Sequence, residues 1–455
     1  MKDDIQLKRS LNFFQLVLLG LAYMAPLTVF TTFGVVESLS KGVIPTAYIL
    51  ALCAMLFTAY SYGQMTKAYP ISGSAYTYTQ KSLSPGLGFM VGWVILMDYL
   101  FIPMINFLII SLYLSEYLPS IPSSIWIIAM IIIVTVINVV GTKVTITMNM
   151  IFLGFQYIVL MVFCALCIHS LLNGTGEGTL FSLKPFMNPD SSIIAAFSGA
   201  SVLCLSFLGF DALTTFAEET IQPKRTIPKA IFFVICFSGI CYIIVSYLAH
   251  LIHPDYLAYK SLDTAAAEIA RMIGGNLFNA LFLAGMIVTS FTSALASHAS
   301  VSRILYAMGR DSVLPKSFFA YIHPRFQTPI KNIILVSIFA LVSLFTDLVT
   351  ITSFINFGAL IAFTFVNISV IAHYFIKGEK RSLKSTILYL LIPLIGACIT
   401  IKLWSDLDKM SLILGGIWTI MGIAYLLYIT KFFRVQPPQM NFDELPKEDG
   451  QELSI

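Results

Sequence analysis

Two acidic side chains lie inside stretches that are otherwise long and apolar. Asp211 closes Ser206-Phe207-Leu208-Gly209-Phe210-Asp211, within roughly residues 192–217. Asp98, followed by Tyr99, falls within roughly residues 87–113. An acid at the centre of a membrane span costs at least ~2.5–3.5 kcal/mol on insertion scales, so such a residue is a functional-site candidate by default. No Lys or Arg shares the span of Asp211. A buried carboxylate without a fixed cation points to a mobile one: a proton, a metal ion or an amine. A proton and an ammonium compete for the same carboxylate, which is a simple route to coupling one to the other. Asp98 and Asp211 facing one cavity would suit a diamine, whose two ammonium ends sit about 6 Å apart. The competing reading for each acid is structural, with its oxygens bonded to nearby backbone or a neighbouring helix.

Aromatic side chains stand near these acids. Ring faces attract cations for roughly 0.5–2 kcal/mol each. Tyr23, Phe207 and Phe210 flank two expected helix breaks. Phe207 lies four residues before Asp211, which on a continuous helix puts both on one face. With 36 Phe and 21 Tyr in the chain, most aromatics serve the core or face lipid. Other polar residues carry a functional and a structural reading side by side. Glu218 and Glu219 near the end of the same span could line an inner exit, or pair with Lys224 or Arg225 at the interface. Tyr76 and Tyr78 could cap that path, or sit as interface aromatics. His298 could relay protons, although a polar contact between helices is the commoner role. Thr289, Ser290, Thr292 and Ser293 could offer hydroxyls to sodium, although such groups usually bond their own helix backbone.

The elements that position these residues follow from composition. Of 455 residues, 58% are hydrophobic and only 11% charged, with a mean hydropathy of +0.86. A soluble domain carries about 25% charge. Each helical span needs about 20 apolar residues, and segments of this length close their backbone hydrogen bonds as helices. The reading is an all-α integral membrane protein with twelve spans near 13–36, 44–66, 87–113, 123–142, 149–171, 192–217, 229–252, 275–302, 331–346, 349–375, 385–404 and 410–432. The ninth is short and runs toward the tenth through Asp347. The polar N-terminus shows no cleavable signal, and Leu11 opens a full-length span.

Charge sets the orientation. Of 27 Lys and Arg, only Lys41, Lys184, Lys260, Arg271, Lys402 and Lys409 fall on one side of the expected spans. That asymmetry predicts cytoplasmic termini. The basic clusters are read as orientation signals rather than lipid- or nucleic-acid-binding sites. All seven cysteines fall within expected spans and read as small apolar residues. Cys164 and Cys167 lack a second pair or nearby histidines, so no metal or other cofactor site is expected.

Breaks in matching places betray transporters built from inverted repeats. Span 1 holds Gly20-Leu21-Ala22-Tyr23-Met24-Ala25-Pro26-Leu27-Thr28, where Pro26 removes a donor and disfavours helical geometry at Ala25. Span 6 holds the Gly209 segment. The reading is a five-plus-five inverted repeat with discontinuous helices 1 and 6: repeat one about 13–171, repeat two about 192–375, and two appended helices about 385–432. Residues 1–434 form a single transmembrane domain, and 435–455 a polar cytoplasmic tail expected to be disordered. Carbonyls at a half-helix end, beside a carboxylate, favour a cation.

The chain resembles the amino acid–polyamine–organocation transporter superfamily over nearly its whole length. The match rests on Tyr69-Pro70-Ile71-Ser72-Gly73-Ser74-Ala75-Tyr76-Thr77-Tyr78, on Phe207 to Asp211 with Glu218-Glu219-Thr220 and Pro223 to Ala230, and on Ser302-Arg303 with Gly309-Arg310-Asp311 and Leu314-Pro315. Within it, the chain more specifically resembles the bacterial putrescine importers. That likeness lies in Gly20 to Tyr23, Gly88 to Trp93, Asp98 to Leu100, Pro103 to Asn106, Ala296 to Arg303 and Ile355 to Leu360. The resemblance implies alternating access and proton-coupled uptake of a diamine across the cytoplasmic membrane of a bacterium. Amino-acid carriers of the superfamily usually have a Gly-x-Gly-like motif at the first break to hold a carboxylate. Here Pro26-Leu27-Thr28 stands there, which suits a substrate lacking one.

The expected function is therefore a secondary transporter for putrescine or a similar short diamine, with an amino-acid/amine exchanger as the alternative. Asp211, Asp98, Tyr99, Tyr23, Phe207 and Phe210 are the candidate substrate residues. Asp211, Glu218, Tyr76 and His298 are the candidates for coupling or gating. The proton is the expected coupling ion, and the residues leave sodium open. A channel would need a continuous polar pore. An enzyme would need clustered catalytic groups, whereas the six histidines are dispersed.

Overall fold

The computed structural model describes residues 9–435 except 119, 190, 347, 380, 406 and 408. Asp347 and the tail beyond residue 435 thus lie outside the described residues. Eleven helices are long and apolar enough to cross a membrane. A twelfth apolar helix, Ile330–Leu344, is shorter and is counted ninth in chain order. Among the described residues the only strand-like pairing is an isolated bridge between Leu11 and Thr220.

Burial separates a centre from a rim. The best windows of the first (Phe13–Phe30) and third (Pro85–Ser115) helices are 72% and 78% buried, while that of the twelfth (Lys409–Ile429) is 17% buried. The first, second (Ile44–Ala68), third, sixth (Ile193–Glu219), eighth (Ala265–Arg310) and tenth (Phe354–Lys377) helices therefore make the core, and both candidate acids stand on core helices. Without a hydrophobic drive between helices in lipid, close approach at small residues holds them together. Gly358 on the tenth helix lets its backbone meet the third: a Cβ there would sit 2.9 Å from the Asp98 nitrogen and the Val94 oxygen. Gly88 and Gly92 on the third receive the short helix Ser74–Ser82, with Tyr76 against Gly92. At the rim, Trp93 and Trp418 stack at 5.1 Å, and each indole N–H donates to the other residue's carbonyl, at 2.9 and 2.8 Å.

The two expected breaks are present. The first helix runs Phe13–Met24, turns at Ala25 (φ 55, ψ 112) and resumes as a 3-10 turn, Pro26–Phe30. A separate helix, Phe33–Ser40, follows, so the discontinuous span expected over 13–36 runs as three pieces and ends at Ser40. The sixth runs Ile193–Leu203, tightens to 3-10 over Cys204–Phe207, extends at Leu208, turns at Gly209 (φ 114) and continues as 3-10 from Asp211 to Glu219. The eighth helix is longer than expected, but Gly275 (φ 63) bends it where the sequence placed its start.

Candidate functional site

The two breaks touch. A Cβ on Gly209 would overlap the Tyr23 ring, so only glycine fits there, both for its positive φ and for this approach. Hydroxyls from neighbouring helices satisfy carbonyls freed at the first break. Ser293 Oγ donates to the Tyr23 carbonyl (3.1 Å), and the Tyr242 hydroxyl faces those of Met24 and Ala25 (3.3 Å each). Asn106 on the third helix donates to Ser293 (3.1 Å). Pro26 has no N–H, and the Thr28 N–H is spent on the Ala25 carbonyl (3.0 Å).

Asp211 opens the second half of the sixth helix, where the N-terminal end favours a negative charge. Its Oδ1 accepts from the Gly209 N–H (3.3 Å) and its Oδ2 from the Tyr99 hydroxyl (2.6 Å). Asp98, one residue before Tyr99, is 2% exposed, and its Oδ1 has no hydrogen-bond partner among the described residues. The two carboxyls lie within electrostatic reach of each other, and Tyr23 lies within reach of both. Neither makes a salt bridge to Lys or Arg among the described residues. Asp98, Asp211, Tyr99 and Tyr23 thus gather at the crossing of the first, third and sixth helices. All four are buried, so this conformation is closed over them.

Phe207 and Phe210 part company. The extended turn at Leu208 and Gly209 breaks the four-residue register, so the expectation that Phe207 shares a helical face with Asp211 does not hold. Phe207 packs edge-on against Tyr242 at 5.7 Å. Phe210 packs on Tyr62 and Phe363, and Tyr62 in turn on Tyr78. Asp211 lies within electrostatic reach of Tyr62 and Tyr78, so this aromatic layer adjoins the acids. Tyr62, Tyr242 and Phe363 join this site's wall without having been marked in the sequence, where nothing local distinguishes them from other helix residues; Ser293, marked there as a possible sodium ligand, instead donates to the Tyr23 carbonyl.

Ion pairs join helices toward both ends of the bundle. Glu218 pairs with Arg310 of the eighth helix rather than with Lys224 or Arg225. It also accepts from the Ser72 N–H (3.2 Å), while Arg310 Nε donates to Asp311 (3.0 Å). Glu219 pairs with Arg303 at 2.5 Å, and Arg303 lies over the Phe216 ring. Tyr76 joins this cluster through Gln80 and Asp311. Burial lifts the Tyr76 hydroxyl well above its ordinary range. Burial also raises the Asp311 carboxyl, against the opposing pull of Arg310. At the other end, buried Glu37 pairs with His250 of the seventh helix (Pro223–Ile252). Glu37 is a further buried acid beyond the two marked in the sequence.

His298 is fully buried between helices. Its Nε2 meets Ser337 Oγ at 3.0 Å, and its Nδ1 faces Asn138 at 3.4 Å. Thr289 and Thr292 donate to carbonyls of their own helix, at 2.8 and 2.9 Å.

A family model described as amino acid permease matches residues 15–438. The chain is 43% identical over 436 residues to the low-affinity putrescine importer PlaP of Escherichia coli K12, covering 96% of each protein. It is 26% identical to the methylthioribose transporter of Bacillus subtilis, covering 93% of this chain and 94% of that one. It is 24% identical to the branched-chain amino acid permease BcaP of the same organism, with the same coverage.

Proposed function

The chain belongs to the amino acid permease family, and from that premise we propose that it imports putrescine or a similar short diamine by proton symport. Its relatives are transporters and permeases rather than enzymes, and it is a multi-pass membrane protein. One observation carries the choice of substrate. Two buried carboxyls stand within electrostatic reach, and one of them keeps an unbonded oxygen. A buried acceptor left unsatisfied costs about 1–3 kcal/mol, more when charged. A diamine supplies one ammonium to each acid and a butyl chain to Tyr23 and the neighbouring rings. The importer PlaP, at 43% identity, supports the same class.

The first break supports it from the other side. Pro26 and the engaged Thr28 N–H leave little of the amide nest that a substrate carboxylate would need. The coupling proton resides on Asp211 or Asp98 when substrate is absent and leaves as the ammonium arrives. Access alternates as the half-helices rock about Ala25 and Gly209. The pairs of Glu218 with Arg310 and of Glu219 with Arg303 close one end, and the pair of Glu37 with His250 closes the other. In this reading the breaks head two five-helix inverted repeats, with helices eleven and twelve appended. Both termini face the cytoplasm of a bacterium, as the basic residues favour.

The test is labelled putrescine uptake into proteoliposomes under an inward proton gradient, an inward sodium gradient or none. Accumulation under protons alone is expected. Accumulation only after preloading with amines or amino acids would replace symport by exchange. No putrescine movement in any arm would overturn the substrate.

A further inference from the structure

At the end of the bundle where the first helix starts, a groove of about 780 Å³ opens to the outside. It lies between the start of the first helix, the end of the second (Ile44–Ala68) and the start of the seventh. Four cations line it: Lys67, Lys224, Arg225 and Lys229. Phe13, Phe232 and Phe233 supply its apolar wall, and among the described residues no carboxylate lines it. Lys67, Arg225 and Lys229 are exposed and make no salt bridge among the described residues.

The arrangement along the seventh helix has a direction. Arg225, Lys229, Phe232, Phe233 and Cys236 follow the spacing of one helical face. The face is cationic for its first two turns and apolar beyond, over about 16 Å at 1.5 Å per residue. The three phenylalanines are 42%, 58% and 45% exposed, an apolar area that water would disfavour and acyl chains would cover. A soluble polyanion has no use for the aromatic wall, and a neutral lipid has no use for four cations. The geometry points to a seat for a phospholipid with an anionic headgroup, its phosphate among the four cations and its chains along Phe13, Phe232 and Phe233. The sequence hid this seat because Lys67 ends the second helix while the other three cations open the seventh. At these four residues the proposal departs from the sequence reading, which took the basic clusters as orientation signals rather than lipid-binding sites. The seat touches the first half-helix, the element that rocks in the function proposed above, since Phe13 belongs to it and its ring meets Phe233 edge-on at 6.2 Å.

The experiment is native mass spectrometry of the purified protein, titrated with phosphatidylglycerol or with phosphatidylcholine of the same acyl chains. A melting curve is taken with each lipid and with inorganic phosphate. Phosphatidylglycerol is expected to bind at a concentration lower by roughly tenfold or more. The triple variant K67Q/R225Q/K229Q is expected to lose that preference. Phe232→Ala is expected to weaken both lipids. Should the triple variant not fold, Lys229→Gln alone is expected to reduce the preference by a few-fold. Equal binding of the two lipids by the natural protein, or an unchanged preference in the variants, overturns the proposal. So does protection by inorganic phosphate equal to that by phosphatidylglycerol, which would make the groove a simple anion site.

Discussion

Asp98→Asn offers the sharpest test of a site built for two ammonium groups. Asp98 Oδ1 has no hydrogen-bond partner to lose among the described residues, and asparagine is close in size. The variant should therefore fold. What it removes is a charged acceptor for one end of the substrate. A hydrogen bond to a charged group contributes about 1.5–3 kcal/mol, and each 1.4 kcal/mol is a factor of ten in affinity. The apparent affinity for putrescine should fall roughly 10- to 140-fold. A monoamine of the same length, n-butylamine, reaches only one carboxyl. Asp211, held by Tyr99 and the Gly209 N–H, is the better-ordered of the two and should take it. Competition of each amine against labelled putrescine, in the natural protein and in the variant, separates the cases. The loss should be large for putrescine and small for butylamine. Equal losses for both amines, or a putrescine affinity within twofold of the natural protein, would refute the two-ended site.

Asp211→Asn should abolish gradient-driven accumulation while the protein still reaches the membrane; full uptake with its ordinary pH dependence would remove Asp211 from coupling. Gly209→Ala meets both a positive φ and the Tyr23 ring, at a cost of about 1–3 kcal/mol, so uptake should fall roughly 5- to 140-fold. Uptake near normal would show that the breaks do not need this contact. Glu218→Gln removes one partner of the pair with Arg310, and a loss of about 1 kcal/mol from the closed end should speed efflux of preloaded putrescine about fivefold. Unchanged efflux would deny that pair a gating role. His298→Gln should cost about 1–3 kcal/mol of stability through its contacts with Ser337 and Asn138. Its uptake should keep the ordinary pH profile, and a displaced profile would return His298 to the proton path.

Both break positions were legible because proline and glycine act on the local backbone, and Ala25 and Gly209 carry the unusual dihedrals. The acids were legible because charge is rare in spans. Partnerships across the chain were not. Glu218 finds Arg310 on the eighth helix, and Glu37 finds His250 on the seventh, through tertiary packing that no local spacing encodes. The misplacement of Phe207 has the opposite origin. A helical rule was carried across a residue where the helix ends. The ninth helix fell short of a full span, as its 331–346 limits already implied.

The reciprocal clasp of Trp93 and Trp418 also shapes what light can report from this molecule. The chain has four tryptophans, and two of them are stacked on each other at the rim. Trp404 lies against Phe357. Among the described residues, no ring pairing joins a tryptophan to Tyr23, Phe207 or Phe210. Trp93 stands five residues before Asp98 on the third helix, so emission from the clasp reports on the helix that carries that acid.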